Sequence, residues 1–345
     1  MGREDTDPSR AGRSRFGAVL ARSGAGVAGT LGAMADPSTP ARRLRVAVTG
    51  ASGLVGSALT PALAARGHEV VALSRSPKTE AASAGVRWVA YDALEPRSVA
   101  AAIEDADAVV HLAGYPLFDK RWNDERMALI RSSRVDGTRA LVDAIGSLAK
   151  KPQVLVSASA IGWYGPLDPD RTVDERDGPG ADFLAEVCMA WEAEANRAAP
   201  LGVRVVTPRF GIILARGGGA LAKMLTPFKL GVGGPIGSGR QVMSWVHIED
   251  VVGVIVAAIE DPRWSGPVNV TAPRPVRSRE FAKALGRALH RPAFLRMPRP
   301  MLRLVVGRAA DVVATGQRVL PRVAEQNGYG FRYTNVDDAL AAVLR

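Results

Sequence analysis

One cysteine and four histidines leave this 345-residue chain with little of the chemistry that builds disulfides or metal centres. A single thiol, Cys188, excludes an intramolecular disulfide and leaves no Cys cluster for zinc or iron–sulfur ligation, so no metal is expected. Long apolar runs are missing as well. No stretch approaches about twenty uninterrupted apolar residues, which argues against a membrane-spanning helix and for a soluble, cytoplasmic protein.

What the chain does have is apolar side chain in quantity: 47% of its residues are hydrophobic, enough for a sizeable core and one large or two small domains. It also carries a net charge of +11, whose distribution decides its meaning. Residues 1–43 hold 7 basic and 4 acidic side chains, residues 44–261 hold 23 and 25, and residues 262–345 hold 15 and 5. The excess therefore belongs to the C-terminal part, where arginines are spread through helical patterns rather than clustered. Solvated helix faces account for that spread better than a nucleic-acid surface; a basic mouth for an anionic substrate is the alternative.

Residues 1–43 are rich in Arg, Ser, Gly and Ala, lack an apolar period, and read as a disordered extension. The segment Phe16–Met34 has some features of a targeting peptide, diluted by Arg22, Ser23 and five glycines, and Met34 is an alternative start. From Leu44 the pattern alternates. Strand-like runs at 44–49, 69–74, 86–91, 107–112, 153–157 and 203–208 are mostly separated by helical spacing, the longest helix running from about Asn123 to Leu148 with Met127, Ile130, Val135, Leu141 and Ile145 along one stripe. This is the pattern of an α/β, doubly wound parallel sheet over 44–214, with 241–272 returning to it. Residues 215–240 and 273–345 read as substrate-side loops and a small, mostly helical cap.

The most informative segment is Arg45-Val-Ala-Val-Thr-Gly-Ala-Ser-Gly-Leu-Val-Gly56, an apolar run that ends in glycines and opens a second apolar run. It reads as strand, phosphate turn and helix. Gly50 permits the sharp turn, Gly53 removes a side chain where a pyrophosphate approaches, and Gly56 allows the helix to pack closely. Free N–H groups at that helix start favour an anion, so Ser52, Leu54 and Val55 join the three glycines as cofactor contacts. At the end of the second strand, where an acidic residue would select NAD, stand Ser74 and Arg75; a guanidinium suits the extra phosphate, so NADP(H) is expected in preference to NAD(H). Asp92 is placed to meet the adenine, and Leu112, Ala113 and Gly114 let backbone approach the cofactor.

With these residues assembled, the chain resembles the extended short-chain dehydrogenase/reductase superfamily, whose Thr-Gly-x-x-Gly-x-x-Gly signature stands at Thr49–Gly56. The segments 156–165, 182–192, 217–224 and 237–250 resemble an atypical epimerase-like subfamily, and Gly316–Pro321 with Gly330–Tyr333 is similar to its small C-terminal domain. The resemblance spans about residues 44–345. It implies a Rossmann fold and NAD(P) binding; members are described as sugar-nucleotide-epimerase-like, some are labelled cell division inhibitors, and their substrate is generally unassigned.

The resemblance also exposes a gap. Enzymes of the superfamily usually set a Tyr four residues before a Lys, which lowers the phenol's pKa for proton transfer. Here, if Glu192 is aligned with the glutamate that often follows, the lysine position falls on Cys188 and the tyrosine position on Leu184. Two readings follow. In one, Ser159, matching the superfamily's catalytic Ser/Thr, orients a small polar substrate while Tyr164 moves the proton; Arg209, Gln241, Trp245 and His247 line the substrate cleft, and Cys188 is a minor thiol alternative. In the other, the protein binds NADP without turnover, as a sensor or interaction protein. A small-molecule substrate is the expected partner, with neither nucleic acid nor membrane, and homodimerisation is left open.

Overall fold

The computed structural model describes residues 42–76 and 85–345, so the extension read as disordered lies, but for its last two residues, outside the described residues. Among the described residues the main sheet has eight strands, seven of them in one row: β1 (Arg45–Thr49), β2 (Glu69–Ser74), β3 (Val86–Ala90), β4 (Ala108–His111), β5 (Val154–Ser157), β6 (Arg204–Phe210) and β7 (Gly266–Val270); the eighth, the short Ser159–Ala160, pairs with the end of β6. Their order is β7-β6-β5-β4-β1-β2-β3 and every neighbouring pair is parallel. The first six lie within two residues of the runs marked by apolar patterning, and the doubly wound α/β fold is as expected. The order reverses between β1 and β4, which opens a crevice at their carboxyl ends.

Alternate residues of each strand feed two cores, as a sheet covered on both faces requires. Val46, Val48, Val70, Ala72, Val110, Val154 and Val156 pack on one side with helix α1 (Leu54–Ala65). Ala47, Val71, Leu73, Val109 and Leu155 pack on the other with α2 (Pro96–Ile103) and α3 (Asp124–Ser147). On this second side α3 also packs against α4 (Phe183–Asn196). The α3 start is set by Asn123, whose side chain accepts from the Arg126 N–H, with Asp124 and Glu125 complementing the helix dipole in the first turn.

Beyond β6 the chain leaves the sheet through α5 (Gly219–Lys229) and returns through α6 (Ile248–Glu260), which packs against α1 before β7. The C-terminal part holds α7 (Ser278–Leu289), α8 (Arg299–Val306), α9 (Ala309–Ala314), α10 (Arg322–Gln326) and α11 (Val336–Leu344). α5, α7 and α11 share an apolar cluster centred on Leu221, Phe228, Phe281, Leu285 and Leu340. Residues 318–333 do not stay with this cap. Val323, Ala324, Tyr329 and Phe331 join the core of the main sheet, and the buried Asp250 of α6 accepts from the backbone N–H groups of Arg332 and Tyr333. Burial of three aromatic rings, with Tyr329 edge-on to both Trp264 and Phe331, explains why this stretch docks on the sheet. Among the described residues no helix is long and apolar enough to cross a membrane.

Candidate active site at the carboxyl ends of the strands

The glycine turn does what its spacing implied. Gly50 has φ +66°, and a Cβ there would lie 2.8 Å from the backbone of Leu112 and Ala113, so both its conformation and its space demand glycine. Gly53 is exposed and N-caps α1 without a side-chain bond, and no acidic residue occupies the first turn. The N–H groups of Leu54, Val55 and Gly56 are thus open for an anion. A Cβ on Gly56 would sit 2.3 Å from the Gly50 carbonyl oxygen, which is how closely the helix rests on the turn. Gly218 and Gly219 press against Leu54 from above, bringing the later glycine loop to the same turn. A cradle lined by backbone N–H and closed to side chains fits a dinucleotide diphosphate.

A buried polar relay fixes the two sides of the crevice. Thr49 Oγ1 accepts from the N–H groups of Leu112 and Ala113 at 3.2 and 3.3 Å and lies 2.7 Å from His111 Nδ1. The other ring nitrogen, Nε2, lies 3.1 Å from Thr138 Oγ1, so the imidazole bridges two threonine hydroxyls. Burial pulls the His111 pKa down to about 4, so the ring is neutral and the relay is held together by hydrogen bonds alone.

The other residues expected to meet the cofactor stand at or just after strand ends. Ser74 ends β2 with its hydroxyl accepting from the Ser76 N–H, and Arg75 is exposed beside it; among the described residues no carboxylate pairs with that guanidinium. Asp92 is exposed and caps its own turn, accepting from the Leu94 N–H at 3.0 Å. Gly114 is exposed on the loop after β4.

The catalytic and substrate assignments fare differently. Ser159 Oγ donates to Glu192 Oε1 at 2.6 Å, and Glu192 is held by Arg209 through two bonds of 2.8 Å. Arg209 also donates to the Tyr164 hydroxyl and lies 3.9 Å from the centre of the Trp163 ring, while Tyr164 donates to Asn269 Oδ1 at 2.9 Å. All five polar residues of this chain of contacts are buried. Arg209 is therefore no substrate clamp: its charge is already matched by Glu192 inside the protein. Tyr164 is not poised as an acid either, because burial pushes its hydroxyl up to about 12 against the opposing pull of Arg209. Ser159 has its proton committed to a carboxylate. Burial, followed by Glu192, likewise pushes the Cys188 thiol up to about 12.

Three cleft residues are corrected on the same ground of internal satisfaction. Trp245 is wholly buried, with its indole N–H donated to the Arg274 carbonyl, and belongs to the cap's core. His247 caps α6 through Nδ1, which accepts from the Glu249 N–H, and stacks on Tyr333 at 3.8 Å. Gln241 is buried and donates to the Ile236 carbonyl at 2.9 Å, pinning its own loop.

One basic residue at this site escaped the sequence reading. Arg134 of α3 reaches the loop after β4, where its NH1 donates to the carbonyls of Tyr115 and Ile130, both at 3.1 Å. The signal was available: Arg134 falls four residues after Ile130, on the inward stripe of the helix, where a charge is unexpected.

Residues 46–270 match the NAD dependent epimerase/dehydratase family, and residues 297–343 match a domain of unknown function, DUF1731. The chain is 39% identical over 306 residues to the chloroplastic epimerase family protein SDR39U1 homolog of Arabidopsis thaliana, covering 88% of this chain and 87% of that protein. The crystal structure of human epimerase family protein SDR39U1 (isoform 2) with NADPH is similar at 35% identity and a TM-score of 0.79, over 87% of this chain and 99% of the human one. UDP-glucuronic acid 4-epimerase of Bacillus cereus, solved with UDP-glucuronic acid and NAD, shares the fold at 16% identity and a TM-score of 0.72, over 87% of this chain and 98% of that chain.

Proposed function

Because the chain belongs to the NAD dependent epimerase/dehydratase family, we propose that it binds NADP(H) and acts as an epimerase-like oxidoreductase of the extended short-chain type on a small polar substrate. The observation that carries the reading is the turn at Gly50–Gly56, where backbone N–H groups, a helix start without a side-chain cap, and two glycines, Gly50 and Gly56, that leave no room for a Cβ come together. Arg75 supports the phosphorylated cofactor over NAD, as does the NADPH in the human relative's structure. When bound, the cofactor supplies hydride transfer. The chain's own residues bind the diphosphate at the α1 start, engage the 2′-phosphate through Arg75 and hold the crevice open through Thr49 and His111. A fluorescence titration tests this: NADPH should bind more tightly than NADH, and equal or reversed affinities would remove the assignment.

A second reading has its own support. The hydroxyls of Ser159 and Tyr164 are locked in a buried network, and Cys188 stands where the superfamily's lysine is expected. A protein that binds NADP without turnover accounts for that loss directly. Native mass spectrometry of the purified chain separates the two: a retained cofactor whose redox state changes on incubation with candidate carbonyl substrates supports the enzyme. A retained cofactor that never changes, together with partner binding that depends on it, supports the sensor.

A further inference from the structure

Arg134 is a cation without a counter-ion. Its side chain is only partly exposed, its guanidinium carbon would lie 3.4 Å from a Cβ on Gly114 and is 5.2 Å from the centre of the Trp191 ring, and its hydrogen bonds run from NH1 to two neutral carbonyls. Among the described residues no carboxylate approaches it. Glu192, one residue from Trp191, is fully engaged by Arg209 and Ser159. Burial pulls the Arg134 pKa down to about 10, leaving it charged at neutral pH. Both of its hydrogen bonds leave from NH1, and the neighbouring Trp191 indole N–H is buried without a partner among the described residues. A half-enclosed guanidinium with an open edge has the form of a group whose anionic or oxygen-rich partner arrives from solution.

Its position says which partner. The sheet order reverses at β1/β4, so a dinucleotide lies across that crevice with one mononucleotide over β1–β3 and the other over β4–β6. Arg75 stands at the end of β2, on the adenosine side. Arg134 stands at the loop after β4, on the opposite side, close enough to Cys188 for its charge to act on that thiol. With Glu192 aligned to the glutamate that often follows the lysine, Cys188 takes the position of the missing lysine.

We propose that Arg134 binds the nicotinamide mononucleotide half of the cofactor, bringing from α3 the positive charge that α4 lacks at Cys188. This rests on the NADP(H) reading above. Full-length Arg134→Met and Arg134→Lys variants test it by titration with NADPH and with 2′,5′-ADP, which carries only the adenosine half. Arg134→Met should weaken NADPH by about tenfold or more while leaving 2′,5′-ADP within about twofold, and Arg134→Lys should recover part of the loss. Unchanged NADPH affinity, as for a group that binds substrate instead, overturns the proposal. So does an equal loss of both ligands with a lowered melting temperature, the mark of a structural role. If Arg134→Met does not fold, Arg134→Lys decides, because a lost fork should cost affinity for NADPH alone. Wild-type protein that binds 2′,5′-ADP but not NADPH refutes this proposal only; binding neither refutes the cofactor reading beneath it.

Discussion

Replacing Arg209 with methionine should unfold the protein more readily rather than impair a substrate contact. The side chains of Arg209 and Glu192 are 3% and 6% exposed, and two bonds of 2.8 Å join them. Methionine keeps much of the packing against Trp163 but leaves the Glu192 carboxylate buried with only the Ser159 hydroxyl as a donor. Removing one partner of a buried ion pair costs about 3–5 kcal/mol; the surviving Ser159 bond puts the expectation near the lower end, about 3 kcal/mol. Urea unfolding followed by circular dichroism measures the loss. The double variant Glu192→Leu/Arg209→Met should recover a good part of it, since two apolar side chains remove both charges together. A loss below about 1 kcal/mol for Arg209→Met, accompanied by a large rise in the KM of an identified substrate, would refute the structural role and restore the clamp.

Arg75→Ala should weaken NADPH by about tenfold to a hundredfold through loss of a charge-assisted phosphate contact, with NADH affinity unchanged in the same titration. Gly50→Ala should abolish measurable cofactor binding and lower the melting temperature, because its Cβ meets backbone at 2.8 Å in a left-handed conformation; retained NADPH binding would show that the turn is not the cradle. Tyr164→Phe should cost about 1 kcal/mol in urea unfolding through the lost Asn269 and Arg209 bonds, while leaving any pH profile of turnover between 6 and 9 unmoved. His111 has a folded pKa of about 4 against 6.5 in a free chain, so it contributes stability above about pH 6.5 that is lost as pH falls toward 4. The size is on the order of 3 kcal/mol, and urea midpoints at pH 7 and 4.5 should differ less in a His111→Asn variant than in the wild type.

How much of this was legible in the sequence depended on distance along the chain. The glycine turn is local: three glycines within seven residues carry their own conformational and steric logic, and Gly50 makes the turn and Gly56 the close helix packing that spacing implied. The parallel sheet was legible because apolar runs of strand length recur between helical stretches. Arg209 was misread because its position just past a strand was visible while its partner was not: Glu192 lies on α4, and only the fold brings the two carboxylate oxygens to the guanidinium. Trp245, Gln241 and His247 share that failure, since a residue's type and its place near a strand end do not say which way its side chain turns. Tyr329 was placed in a cap for the same reason, as its contacts with Trp264 and α6 span more than sixty residues.

The missing dyad is a property of a whole interface rather than of two positions. Leu184 and Cys188 face the short turn Ile161–Tyr164: a Cβ on Gly162 would lie 3.2 Å from the Leu184 Cβ and 3.7 Å from the Cys188 sulfur. A tyrosine at 184 would have to find room against that turn, and a lysine at 188 would bring a second cation toward Arg134 with no carboxylate free to pair with it. One helical turn further on, Glu192 is occupied by Arg209 and Ser159, whose contacts run on through Tyr164 and Asn269 to the Leu320 carbonyl in the C-terminal segment. These buried side chains thus fasten α4, the strand ends and the C-terminal segment together. Near this interface a cation with no carboxylate partner among the described residues sits instead on α3, at Arg134, within electrostatic reach of Cys188.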